Sequence, residues 1–493
     1  MKQSQRIVKN AVFGVGASLI GGLVYLITVL TIARMVSVVE FGKYSFVLAF
    51  AMFFQLLADA GLPRMMIREI AKDPEALVPL VGAGASLIWV LSVAVCLLVG
   101  LIVVFLHFDT DVKIAAVIMS MATMATFHSA GYSAVLRAFE DNELNYLGFV
   151  LHKILLLGLI VVTIKLKMGL VGFVIAHLVS NVLLWNFYHL VVIRLYARIP
   201  LRIDLSLWKS LLIAGLPMGG GVMLRQLALQ LDIIILTWMT NLTTVGLFSG
   251  PYRISMALRT IPQNLALPLY PLYSRTAHLS PERFKEAYQW SVKSFGLISI
   301  PMAAFFIAWS KPILRLALGA KFLPALPAMQ LLGLGLVPFF LSTLFQYLFA
   351  ALDEQRRFLL STCVASGLRI LLLVLLIPRF GFAGPAMAFV CAETLIVGMW
   401  MFQLKRLGFP ANLGNVIWRP LAAGLAMTLV LFAAAQAPLL WQIPAAVVSL
   451  IVYVAVLLAL RTFSVEEVHY AREGIAFVSP FIESWAKKFK RNT

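Results

Sequence analysis

Long apolar runs recur along the whole chain, and most exceed the roughly 20 residues that a helix needs to cross a bilayer core. Fourteen such runs can be read, at 8–36, 44–62, 78–108, 114–136, 144–164, 170–192, 211–239, 245–270, 287–308, 326–352, 358–377, 383–404, 416–435 and 439–460. They are continuously apolar rather than alternating, which excludes a transmembrane β-barrel. Composition agrees: of 493 residues, 61% are hydrophobic and 12% charged, whereas a soluble chain carries about 25% charged residues. So little charge cannot coat a soluble surface of this size, and a cytosolic enzyme is excluded. The net charge of +19 would suit nucleic acid only if the basic residues gathered on one soluble face. They sit instead in short connectors between apolar runs, so nucleic acid is not an expected partner. The sequence reads as an all-α polytopic membrane protein.

Cys96, Cys363 and Cys391 all lie inside apolar runs at unrelated spacings, so they form neither a metal motif nor a disulfide framework. The first apolar run is too long for a signal-peptide core and lacks a small-residue cleavage site, so it is read as a retained span. Lys and Arg in alternate connectors orient the chain. With the N-terminus inside, the inside segments hold more than twice as many basic residues as the outside ones, which places both termini in the cytoplasm.

A weak internal repeat divides the chain. The stretch 165–172 aligns with 377–384, matching Gly169 to Gly381 and Gly172 to Gly384, and each opens a following span. Phe41 and Gly42 align with Val245 and Gly246, and the end of the second span, Leu62 and Pro63, with Leu267 and Pro268. Six spans per unit make the two copies parallel, related by an axis along the membrane normal. The expected organisation is a six-helix lobe at 1–200, a second at 201–408, two additional helices at 409–462 and a cytoplasmic basic tail at 463–493. The first span carries Gly14, Gly16, Gly21 and Gly22, and the seventh carries Gly215, Pro217, Gly219, Gly220 and Gly221. Paired interruptions of this kind permit bending around a transport site, while close helix packing is the competing explanation.

Charged residues inside the spans are the strongest functional signal, because a mid-membrane cation costs roughly 2.5–3.5 kcal/mol on insertion scales and needs a partner or a wet cavity. Five lie well inside: Lys153, Arg225, Arg253, Arg259 and Arg369. Only Asp232 and Glu393 stand against them at depth, so the interior is cationic. Arg225 and Asp232 share one face of the seventh span, beside Gln226 and Gln230. Two readings compete. One is a water-filled, anion-attracting cavity between the lobes. The other is a set of buried pairs, Arg225 with Asp232 and Arg369 with Glu393. Asp232 and Glu393 are also candidates for binding a coupling proton or sodium ion. His128, His152 and His177 are scattered and read as packed polar residues. In the tail, Phe481, Ile482, Trp485 and Phe489 share a helical face flanked by Lys487, Lys488, Lys490 and Arg491, which suits an interfacial helix on anionic lipid. No nucleotide-binding loop is present, and no cofactor is expected.

Several short motifs resemble a known family: KNAVFG at 9–14, VEFGKY at 39–44, DAGL at 59–62, IREI at 67–70, LD at 231–232, VGLF at 245–248, YRI at 252–254 and PLYP at 268–271. They are similar to motifs of the Wzx-type lipid-linked oligosaccharide flippases of the multidrug/oligosaccharidyl-lipid/polysaccharide exporter superfamily, across nearly the whole chain. The resemblance implies two six-helix lobes around a cationic cavity in the bacterial inner membrane. The cavity would take an undecaprenyl-pyrophosphate-linked oligosaccharide from the cytoplasmic leaflet and release it outward by alternating access. Lys153, Arg225, Arg253, Arg259 and Arg369 match the substrate-binding role by position. Membrane lipids, and a polysaccharide polymerase with its chain-length machinery, are the implied partners, and the implied activity is transport rather than catalysis. A multidrug cation antiporter and a lipid II flippase of the same superfamily are the nearest alternatives. A membrane-embedded glycan polymerase or ligase is a further one, but the outer loops carry few acid or base residues.

Overall fold

The computed structural model describes residues 3–59, 61–410, 413–435 and 438–463. These form helices and short connectors, with no strand among the described residues. The first group is α1 (Gln3–Met35), α2 (Val38–Asp59), α3 (Leu62–Lys72), α4 (Leu77–Phe105), α5 (Thr110–Ala138), α6 (Asn142–Lys165) and α7 (Gly169–Leu195). The second group begins with α8 (Leu205–Met239), α9 (Leu242–Leu258), α10 (Thr260–Ala266), α11 (Tyr270–Leu279) and α12 (Pro281–Ala308). It continues with α13 (Ser310–Ile313), α14 (Leu326–Leu334), α15 (Leu336–Ala351), α16 (Gln355–Phe380) and α17 (Gly384–Arg406). Two more helices follow, α18 (Leu413–Ala434) and α19 (Leu439–Ala459).

Local chemistry sets several boundaries. The Asp204 carboxylate accepts from the backbone N–H groups of Ser206 and Leu207 and opens α8, and the Asn241 side chain does the same for α9 through Thr244. Helix α3 is amphipathic, burying Leu62, Met65, Met66 and Ile70 while Arg68 and Lys72 point outward.

Among the described residues, twelve stretches are long and apolar enough to cross a membrane, and this is a multi-pass membrane protein. The expected fourteen runs differ from these at two places. The run at 245–270 is divided into α9, α10 and the turn that follows, each too short to count as a span by itself. The runs at 358–377 and 383–404 join into one stretch, Gln355–Arg406, because only a single 3₁₀ turn separates α16 from α17. Helix α8 is continuous through 215–221. In the first span, Gly14 and Gly21 serve close packing: a Cβ would lie 2.4 Å from the Tyr146 hydroxyl oxygen at one and 2.2 Å from the Phe149 ring at the other. The aromatic tail face falls outside the described residues.

The repeat has a geometric counterpart. Gly169 and Gly381, 212 positions apart, both take left-handed backbone angles, with φ of 62° and 53°, which a side chain would strain. Each lets the chain reverse directly into the next helix. A second matched pair joins the two halves. A Cβ on Gly42 of α2 would lie 2.0 Å from the Leu242 carbonyl oxygen, and one on Gly246 of α9 would lie 2.0 Å from that of Val38. The first turns of α2 and α9 therefore cross backbone to backbone, at the end of the bundle where α1 terminates. Lys321 adds a tie there, donating to the Arg34 carbonyl at 2.9 Å and to that of Val36.

Candidate functional site

Helices α1, α2, α5, α6 and α7 meet α8, α9 and α10 around a cavity of about 340 Å³. Lys153 reaches it from α6 and Arg253 from α9. The Lys153 ammonium lies 4.8 Å from the Tyr25 ring centroid and 5.5 Å from that of Phe149, a favourable seat for a cation that lacks a carboxylate. The Nε and Nη2 atoms of Arg253 are buried with no hydrogen-bond partner. Neither residue has an acidic partner among the described residues. Neutral polar groups complete the wall, among them Gln55, Thr123, Gln226 and Gln230.

Two histidines of the wall are held in neutral networks. His152 Nε2 lies 2.7 Å from Asn181 Oδ1, and the Asn181 amide donates to the Ala122 carbonyl at 2.9 Å. His177 Nε2 and the Tyr44 hydroxyl are 2.9 Å apart. His128, away from the cavity, contacts Ser92 at 3.3 Å and stacks on Trp185.

The other three arginines form a separate cluster within the second group of helices. Arg369 on α16 grips Asp232 on α8 through Nε, at 2.8 Å from Oδ1, and through Nη2 to Oδ2. Arg225, also on α8, donates to Glu393 of α17 at 2.9 Å and to Ser342 of α15 at 2.5 Å, while the Ser342 hydroxyl donates to the same carboxylate at 2.6 Å. The Arg369–Asp232 pair is buried and the Arg225–Glu393 pair largely so, and in both the mutual neutralisation that a low-dielectric interior requires is met. The pairings are the reverse of those expected from the sequence. Arg225 and Asp232 share a face, but seven residues of helical rise separate them by about 10 Å, and each finds a nearer partner on a neighbouring helix. Arg259 has no acid. Its guanidinium lies 4.2 Å from the Phe389 centroid and 4.7 Å from that of Phe339. The same two rings also face Arg369 and Arg225, so aromatic faces separate three like charges.

Of the five cations singled out in the sequence, then, two line the shared cavity, two are locked to carboxylates and one is stacked on aromatic rings. Gln55, Tyr25 and Thr123 were not singled out because neutral residues in an apolar run carry no cost signal. One pattern does point to Thr123. Met119, Thr123, Thr126, Ala130, Ser133 and Arg137 recur at alternating spacings of four and three, a single stripe along α5.

Family models and solved structures place this helical bundle in the multidrug/oligosaccharidyl-lipid/polysaccharide exporter superfamily. The chain belongs to the flippase branch of that superfamily: the model of the polysaccharide biosynthesis protein family matches residues 7–277, and that of the lipid II flippase MurJ matches residues 144–465. Among solved structures, a lipid II flippase MurJ in an inward closed conformation is similar with a TM-score of 0.73 and 14% identity, over 91% of this chain and 98% of that one. An inward-facing multidrug resistance MATE family transporter follows with a TM-score of 0.62 and 16% identity, over 81% and 94% of the two chains. A superfamily transporter from Pyrococcus furiosus is similar with a TM-score of 0.59 and 16% identity, over 81% and 96%. No curated relative matches in sequence. At these identities the structural likeness speaks for the fold.

Proposed function

We propose that this protein moves an undecaprenyl-pyrophosphate-linked oligosaccharide repeat unit, of O-antigen, capsule or exopolysaccharide type, from the cytoplasmic to the outer leaflet of the bacterial inner membrane. The observation that carries this reading is the pair Lys153 and Arg253, two cations on one cavity with no carboxylate to neutralise them. An uncompensated positive site within a bilayer favours an anion, and a pyrophosphate supplies both charge and acceptor oxygens. Lys153 and Arg253 would touch the phosphates directly. Arg259, which makes no ion pair among the described residues, would add positive field from behind, while Arg225 and Arg369 are held by Glu393 and Asp232 and would tune the site through those pairs.

Alternating access would proceed between a lobe at 1–200 and a lobe at 201–408, with 409–462 appended. Both termini would be cytoplasmic, which puts the α2–α9 crossing at the outer leaflet and Arg137 at the inner one. Transport of this kind needs no catalytic group. Asp232 and Glu393 remain the candidates for a coupling proton or sodium ion, and binding there would have to displace a guanidinium. A polymerase and its chain-length machinery would receive the product.

Lipid II transport is the second reading, favoured by the match of the MurJ model to residues 144–465. A multidrug cation antiporter fits less well, because no carboxylate is among the described residues that line the cavity. The test is reconstitution in liposomes with fluorescent lipid-linked oligosaccharide and, in parallel, lipid II. Lys153→Ala and Arg253→Ala should each slow translocation at least tenfold while the protein stays folded. Normal rates in both variants would exclude the anion-cavity mechanism.

A further inference from the structure

A second cavity, about 290 Å³, lies beyond the first toward the C-terminal end of α5, and its described lining comes from α1, α5, α6 and α7. Ser18, Thr126, Ser129, Ser133, Asn145 and Tyr146 line it. We propose that it is a glycan subsite, holding the sugar of a ligand whose phosphates sit at Lys153 and Arg253; this rests on the function proposed above.

Continuity is the first argument. Thr126 lines both cavities, and the α5 stripe runs from Thr123 in the first to Ser133 and Arg137 in the second. On α6, Phe149 forms part of the second cavity while its ring lies beneath the Lys153 ammonium. Asn145 is eight residues from Lys153, about 12 Å of helical rise, so one elongated ligand can occupy both compartments.

The lining supplies the second argument. Among its described lining residues the second cavity has no carboxylate and a single cation, Arg137, which is exposed at the end of α5. A phosphate would find little there, and a prenyl chain would offer the Asn145 amide no acceptor, while the Thr126 and Ser129 hydroxyls already donate to the Ala122 and Ala125 carbonyls of α5 and present only acceptor lone pairs. A sugar offers donors and acceptors together, as hydroxyl and amide side chains do. The groups are also preset. Ser133 donates to Asn145 Oδ1 at 2.6 Å, and the Tyr188 hydroxyl donates to the Asn145 carbonyl at 2.7 Å, which leaves the Asn145 amide nitrogen to donate elsewhere. Gly14 has the close approach that lets Tyr146 lie against α1, so an aromatic ring paves one wall.

The full-length protein in nanodiscs should be titrated with undecaprenyl pyrophosphate and with the same lipid carrying an N-acetylhexosamine disaccharide. Wild type should prefer the glycosylated lipid. Asn145→Ala should reduce that preference about tenfold, the effect of one lost hydrogen bond in a buried site. Ala130→Phe, which fills the cavity without removing a polar group, should reduce it as much. An absent wild-type preference, or a preference unchanged in both variants, overturns the subsite. Lys153→Ala reads the phosphate compartment separately and should weaken both lipids alike. If wild type binds neither lipid, or Lys153→Ala leaves both affinities intact, the proposed function fails and the subsite fails with it.

Discussion

Asp232 on α8 holds Nε and Nη2 of Arg369 on α16, a residue 137 positions away in sequence. The pair fastens the first helix of the second group to one near its end, and both partners are almost wholly excluded from solvent. Arg369→Ala would leave a buried, uncompensated carboxylate, which costs about 3–5 kcal/mol. The expected outcome is a clear fall in thermal stability in detergent, followed by intrinsic tryptophan fluorescence. Replacing both partners with apolar residues, Asp232→Leu with Arg369→Met, should recover most of the loss. An undiminished melting temperature in Arg369→Ala would show that the pair does not hold these helices together.

The crossing of α2 and α9 tolerates no side chain. At both Gly42 and Gly246 a Cβ would run into a backbone carbonyl, which cannot swing aside as a flexible side chain can. Gly42→Ala and Gly246→Ala should therefore part the two helices at this end of the bundle. A cysteine placed at Met52, on the cavity wall, should then react faster with a membrane-impermeant thiol reagent applied from that side. Equal labelling rates with and without the glycine substitutions would mean that the crossing does not close the cavity.

Lys321 caps α1 by donating to two carbonyls of its last turn and the residue beyond, Arg34 and Val36. A cation at a helix C-terminus contributes roughly 0.3–1 kcal/mol. Lys321→Met should consequently loosen the same end of the bundle without unfolding the protein. Labelling at the Met52 cysteine should rise about twofold to fivefold, less than with Gly42→Ala. Lys321→Arg, which retains the charge, should restore most of the protection.

The Asp109 carboxylate lies in the connector before α5, accepting from Lys43 Nζ at 2.8 Å, and Lys43 also reaches Asp111 at 2.9 Å. The hydrogen bond from Lys43, with its charge, holds the Asp109 carboxyl below the usual carboxylate range. A lowered folded-state value means that the contribution to stability is fully present above the unfolded value of about 3.9 and is lost as pH falls through the folded one. Melting temperature should therefore drop as pH falls below about 4, and Lys43→Met should flatten that part of the profile. The same slope in Lys43→Met would assign the acid sensitivity to other carboxylates.

Much of the architecture is legible in the sequence because the bilayer makes it so. Apolar runs near 20 residues must be helices when no water is available to the backbone. The break at 245–270 is less legible, since hydropathy does not register the turns between α9, α10 and α11. The glycines of the repeat were visible as letters, and their reasons differ. Gly169 and Gly381 meet a local need for positive φ, whereas Gly42 and Gly246 meet each other's helices.

For the site, the sequence by itself determined which residues had to be accounted for. Lys153, Arg225, Arg253, Arg259 and Arg369 stand out because a charge in an apolar run is costly wherever the helix packs. Tertiary structure decided their roles. A side chain pairs with the nearest opposite charge in space, and across helices that distance depends on packing, which spacing along the chain does not encode. Asp232 and Glu393 therefore neutralise Arg369 and Arg225, Arg259 rests on aromatic rings, and Lys153 and Arg253 are left to the cavity.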